Sequence, residues 1–230
     1  MNYLIKSLKA FTKYEACMWI GSVAALIILY AVSGGGGVIA FVAPILGVTA
    51  LIFQAKGNVL GQILVIIFSF MYAYTAWTFH YYGEVVTYLG MTMPSAVAVT
   101  ISWIKNLHSE TEVAIAETKK STYAILAVLT VIMTIIFYFI LKALDTPNLG
   151  FSTVSVTTSF FAAGLCFLRN RFFSLAYMCN DIVLVILWVL ASMTDLSYLS
   201  MVLNFVVFAI NDFYIYYSWR KINERQKQER

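Results

Sequence analysis

Eight runs of apolar residues, each close to the length of a bilayer crossing, leave this chain little choice of fold. They lie at about Ala16–Val32, Val38–Gln54, Val59–Phe79, Glu84–Ile104, Tyr123–Leu141, Phe151–Leu168, Phe172–Met193 and Ser197–Ser218. A helix rising 1.5 Å per residue needs roughly 20 residues to cross a hydrocarbon core of about 30 Å. In lipid every backbone N–H and C=O must be satisfied within the protein, which leaves helices or closed barrels. A barrel would need shorter segments of alternating polarity, and these runs are continuously apolar. Charged residues make up only 11% of the chain and the mean hydropathy is +0.83, whereas a soluble domain carries about a quarter charged residues. The sequence therefore predicts an all-α membrane protein with eight transmembrane helices.

The connectors are mostly tight, among them Gly34–Gly37, Lys56-Gly57-Asn58, Tyr82-Gly83, Arg169-Asn170-Arg171 and Thr194-Asp195-Leu196. The glycine run reads as a flexible turn. The longer connector Lys105–Thr122 is charged and reads as a solvated or interfacial loop. Eight crossings put both termini on one side. Fourteen of the fifteen lysines and arginines then fall on that side and only Lys142 on the other, so the positive-inside rule predicts cytoplasmic termini. The N-terminal segment is basic and polar and lacks the apolar core of a cleaved signal peptide.

An internal echo runs through the chain at an offset of about 111–116 residues. Trp77 and Trp103-Ile104-Lys105 are matched by Trp188 and Trp219-Arg220-Lys221. The connectors Lys56-Gly57-Asn58 and Arg169-Asn170-Arg171 hold matching places. Both copies start outside and end inside, so Tyr123–Leu141 returns the chain between them. The expected organisation is a 3+1+3 core of two parallel three-helix repeats plus one extra N-terminal helix, an architecture that SWEET transporters share. Its segments are residues 1–37 (N-terminus and extra helix), 38–105 (first repeat), 106–149 (loop and connector helix), 150–219 (second repeat) and 220–230 (cytoplasmic tail).

Polar residues inside these helices are the candidates for function. Asp181 sits near the middle of its run, where a carboxylate costs about 3 kcal/mol or more unless it faces a cavity or a partner. Asn180 precedes it, and Trp188 follows seven residues on, nearly on the same face. The last helix repeats the pattern with Asn211-Asp212 and Trp219. Asn204 shares a face with Asn211, and Asp212 is expected nearer the cytoplasmic mouth than Asp181. Gln62 and Ser69, seven apart, and Tyr72 supply milder groups in the first repeat. Helix four offers Tyr88, Thr92, Ser95 and Pro94, the last a candidate kink or hinge. Trp103 and Trp219 adjoin cytoplasmic bases and read as interfacial anchors, whereas Trp188 lies deeper and suits stacking on a substrate. Each polar residue could instead clamp helices together. No phosphate-cradling loop, metal-ligand spacing or nucleophile constellation is present. The sequence thus predicts no enzyme, no cofactor, no metal site and no nucleic-acid partner. The three cysteines lie in apolar segments without disulfide spacing.

Asn180-Asp181…Trp188, Phe208…Asn211-Asp212…Trp219, Gln54-Ala55-Lys56-Gly57-Asn58, Tyr72–Trp77 and Tyr82-Gly83-Glu84 together resemble the PnuC-type transporters, over about Phe41 to Arg220. The resemblance implies a bacterial inner-membrane protein of SWEET-like fold that takes up nicotinamide riboside by facilitated diffusion, with cytoplasmic phosphorylation trapping the product. Related proteins carry other nucleosides such as thymidine, or riboflavin. A flat pyridinium, a carboxamide and a ribose suit an indole face, amide side chains and a carboxylate. The expected substrate-binding set is Trp188, Asn180, Asp181, Asn211, Asn204, Gln62, Asp212, Ser69 and Tyr72. A membrane protein that binds without translocating is the reading from another class, and self-association into a homo-oligomer stays open.

Overall fold

The computed structural model describes residues 6–7, 11–32 and 37–229. Lys9, Arg230 and Gly34–Gly36 of the expected glycine turn lie outside these. Among the described residues, eight helices are long and apolar enough to cross a membrane. They are α1 (Lys13–Val32), α2 (Gly37–Ala55), α3 (Val59–Thr78), α4 (Tyr82–Lys105), α5 (Lys120–Ala143), α6 (Leu149–Phe167), α7 (Phe173–Ser192) and α8 (Leu199–Gln228).

Six of them close a ring. Helix α3 packs against α2 and α4, α7 packs against α6 and α8, and the contacts α4–α6 and α8–α2 complete the circle. Helix α5 lies outside, mainly against α6, and α1 lies against α2 and α8. The placement follows from composition. Helix α5 turns Ile125, Val128, Val131, Ile135 and Phe139 outward, as a lipid-facing helix should, while the ring helices bury Gln54, Gln62, Asn180, Asp181, Asn211 and Asp212. Helix α1 begins with a reciprocal cap. Thr12 N–H bonds Glu15 Oε2 at 2.7 Å, and Glu15 N–H bonds Thr12 Oγ1 at 3.3 Å. The same carboxylate, almost fully buried, holds Lys56 Nζ at 2.8 Å and accepts from the Tyr214 hydroxyl at 2.9 Å. One buried acid so ties α1 to the α2–α3 turn and to α8.

The two connectors that echo in the sequence are built alike. Asn58 Oδ1 accepts from Leu60 N–H at the start of α3, and Asn170 Oδ1 accepts from Phe172 N–H at the start of α7, both at 2.9 Å. The residue before each asparagine is left-handed, Gly57 at φ 62° and Arg169 at φ 55°. Glycine takes that conformation without strain; the arginine does not, and its guanidinium donates to Ala114 O at 3.2 Å. The indole N–H of Trp103 donates to Cys166 O at 3.0 Å, and that of Trp219 to Gln54 O at 2.7 Å. The neighbouring serines follow suit, Ser102 to Phe167 O at 2.8 Å and Ser218 to Ala55 O at 2.7 Å. Trp103 and Trp219 are therefore fully buried, not interfacial anchors. Each bonds a carbonyl in the last turn of a facing helix, which also accepts a backbone N–H from the following turn, Cys166 O from Arg169 and Gln54 O from Gly57.

The linker 106–119, within the connector expected to be a solvated or interfacial loop, is packed against the helix ends. Val113 and Ile115 are buried under it. Val113 N–H bonds Gly57 O, and Ala116 N–H bonds Arg169 O, so one strap touches both matching turns. Helix α8 runs on past its membrane segment to meet it. Gln226 accepts from Ile115 N–H at 2.9 Å and donates to Val113 O at 3.0 Å. Around this polar centre Arg225 pairs with Glu112, Lys227 with Glu117 and Lys6 with Glu110.

Candidate functional site

Helices α7 and α8 are consecutive and antiparallel, so their Asn-Asp-x6-Trp motifs run in opposite directions. The two aspartates therefore meet at one depth, where their side chains are in hydrogen-bond contact. Asp212 does not lie nearer the linker face than Asp181, as its sequence position suggested. The tryptophans, each two helical turns or about 10 Å beyond its aspartate, diverge to opposite ends. Trp219 joins Trp103 and Phe173, with ring centres at 5.4 and 4.6 Å, towards the linker face. Trp188 joins Tyr81 and Tyr198, at 4.7 and 5.8 Å, towards the far face.

Between these aromatic layers lies a cavity of about 90 Å³. Gln62 on α3, Asn180 and Asp181 on α7 and Asp212 on α8 line it, together with Gln54, Tyr88, Thr92, Ser159, Tyr177 and Phe208. None of its lining residues is basic. Asn180 Oδ1 accepts from Thr158 on α6 at 2.9 Å, and Gln62 donates to Cys166 Sγ at 3.3 Å. Asp181 Oδ2 and Asp212 Oδ1 have no hydrogen-bond partner, though both are buried. Small-molecule pockets usually run to about 300–1,000 Å³, so the cavity is small for a ligand of that class, and buried rings stand beyond it towards each face.

The other expected residues stand outside its wall. Trp188 is fully buried in the far-face layer. Tyr72 stacks on Tyr88 with ring centres 4.0 Å apart and meets Phe205 edge-on, so it backs a wall residue. Ser69 bonds Val65 O on its own helix at 2.8 Å. Asn211 donates to Ser22 of α1 at 3.0 Å and to Val207 O at 2.8 Å, which makes it a clamp for the outer helix. Asn204 is buried with its Oδ1 unpartnered.

Two wall residues come from an irregularity in α4. Tyr88–Thr92 form a π-turn in which Met93 N–H bonds Tyr88 O, just before Pro94, whose ring nitrogen has no hydrogen to give. Tyr88 and Thr92, at the two ends of the turn, both reach the cavity. Such turns gather at functional sites. Phe208 meets α2 at Gly47, where a Cβ would fall 2.4 Å from its Cζ. Glu84 is a further buried carboxyl, in the first turn of α4. Sequence reasoning placed Tyr88 and Thr92 only as polar groups on α4, had Gln54 and Phe208 only within the motifs of the family resemblance, and gave no signal for Tyr177 or Ser159.

Residues 37–221 match the sequence pattern of a family described as nicotinamide mononucleotide transporter. The nicotinamide riboside transporter PnuC of Haemophilus influenzae is 27% identical over 191 residues, covering 81% of each chain. The protein of that name in Neisseria mucosa is 26% identical over 193 residues, covering 81% of this chain and 73% of its own. A crystal structure titled as the vitamin B3 transporter PnuC has the same fold, with a TM-score of 0.84 over 98% of both chains at 23% identity.

Proposed function

Because the chain belongs to the nicotinamide mononucleotide transporter family, we propose that this multi-pass membrane protein carries nicotinamide riboside across the bacterial inner membrane, down the riboside's own gradient. The Haemophilus influenzae and Neisseria mucosa relatives are named as nicotinamide riboside transporters. The observation that carries the choice of riboside is the charge of the cavity. Two carboxyl groups line it beside three side-chain amides, with no basic residue on its wall. A mononucleotide would bring a phosphate, about −1.5 to −2 in charge, against those carboxyls. A riboside brings only a cationic pyridinium, a carboxamide and ribose hydroxyls. Thymidine is neutral and riboflavin larger, so neither uses this wall as well.

In this reading Asp181 and Asp212 offset the cation, and Gln62 and Asn180 pair with the carboxamide or the ribose. Tyr88 and Tyr177 supply ring faces. Trp188 and Tyr72 act as the far gate and its support. Asn211 ties the outer helix α1 to α8, while Ser69 and Asn204 are buried behind the wall. The matching turns and indole bonds of α2–α4 and α6–α8 support two parallel repeats of SWEET-like plan, with α5 the connector and α1 the extra helix. The excess of lysine and arginine on the linker face supports cytoplasmic termini. Phosphorylation of the product inside the cell would maintain the gradient.

Counterflow separates a carrier from a binder. Liposomes containing only this protein and loaded with unlabelled riboside should draw in labelled riboside transiently above its outside concentration. Measurable riboside affinity without exchange would leave a binding protein and overturn the transport reading.

A further inference from the structure

Asp181 and Asp212 touch through their side chains, at 5% and 3% exposure. A carboxylate has only acceptors, so a hydrogen bond between two such groups needs a proton on one of them. Two full charges in contact in a poorly screened interior repel strongly, and carboxyl pairs of this kind share a proton. The elements around the pair bring no countercharge. Tyr177 faces it from α7, Tyr88 from α4 and Cys166 from α6. Gln54 and Gln62 face the same cavity from α2 and α3. Glu84 adds a further acid beyond Tyr88. The free oxygens, Asp181 Oδ2 and Asp212 Oδ1, sit on residues of the cavity wall.

We propose that Asp181 and Asp212 hold one proton between them and that the single negative charge left on the pair is a subsite for a cationic ring, selecting a pyridinium nucleoside over a neutral one of the same shape. The inference rests on the riboside reading and adds the basis of its charge selection. The pair keeps its proton when the substrate binds, so the loaded cavity is neutral and only the substrate's own charge crosses.

Asparagine tests the arrangement, because its amide N–H donates to the remaining carboxylate as the protonated acid does. Binding of nicotinamide riboside and of its uncharged dihydro form is measured on purified, monodisperse parent, Asp181→Asn, Asp212→Asn and the double variant. Each single variant keeps one charge and should weaken cation binding by less than about tenfold, while the double variant should weaken it by more than about a hundredfold. The double variant should still bind the dihydro form, which reports an intact cavity, so its preference for the cation disappears. Either single variant losing as much as the double, or the double keeping the parent's preference, overturns the proposal. Infrared difference spectroscopy without substrate gives the second readout. The parent at neutral pH should show a protonated-carboxyl C=O stretch that the double variant lacks; its absence from the parent overturns the shared proton. Should the parent bind neither form, the riboside reading falls, and the infrared band still decides the shared proton.

Discussion

Gln62 and Asn180 are held at the cavity by bonds to α6, through Cys166 and Thr158. Both were legible in the sequence because an amide inside a lipid-spanning helix must be used by something. Gln62→Ala and Asn180→Ala should each cost about 1–3 kcal/mol of riboside binding, since a substrate polar group is left unpaired. That is roughly a 5- to 150-fold rise in Kd by titration of the purified protein. Trp188 carries a different expectation. It packs on Tyr81 and Tyr198 rather than on the cavity wall, so Trp188→Ala should remove about 3–5 kcal/mol of stability, and Trp188→Phe, which keeps a ring, much less. Heating followed by size-exclusion chromatography measures both. An Ala variant as stable as the parent that has lost riboside binding would move Trp188 into the wall. The aromatic wall residues Phe68, Tyr177 and Phe205 were not legible, because with 16% aromatics a ring marks nothing until its neighbours are known.

The helices could be read to within a few residues because the bilayer sets their length. Where water rather than lipid meets the chain, the pattern gave less. Helix α8 continues to Gln228 through residues too charged to register as membrane. Its order there depends on the strap, which covers Ile222 and Gln226 and is itself ordered by the two turns. The orientation of adjacent helices was equally hidden in the motif spacing. A seven-residue interval fixes a face but not a depth, so Trp188 read as a deep stacking residue and Trp219 as an anchor, whereas both are buried in aromatic layers at opposite ends. Helix spacing yields a sharper prediction at Gly47. A methyl there would overlap the Phe208 ring, and either α2 and α8 separate or the ring turns into the cavity. Gly47→Ala should cost about 1–3 kcal/mol of stability, read by thermal unfolding, and should weaken riboside binding alongside it. Unchanged binding and unchanged stability together would mean that Phe208 swings aside freely.

Among the described residues the molecule is a six-helix ring with two outer helices, with buried rings on either side of a small polar centre. The resemblance between its halves is weak residue by residue but plain in the hydrogen bonds. Asn58 and Asn170 cap alike, Trp103 and Trp219 bond alike, and one strap joins both turns. A carrier built from like halves can open at either end while the substrate stays between them. The small cavity must then widen on loading, with the π-turn of α4 beside Pro94 a natural place for the change. Nothing in this arrangement demands a second ion to move with the substrate. The direct test is net uptake of labelled nicotinamide riboside into liposomes containing only this protein, with sodium and proton gradients set to zero and then imposed. Uptake should be saturable, should run down the riboside gradient at a rate that neither ion gradient raises, and should weaken in the Gln62→Ala and Asn180→Ala proteins. Absence of saturable uptake by the folded parent, or a rate that climbs with an imposed ion gradient at fixed substrate, would contradict it.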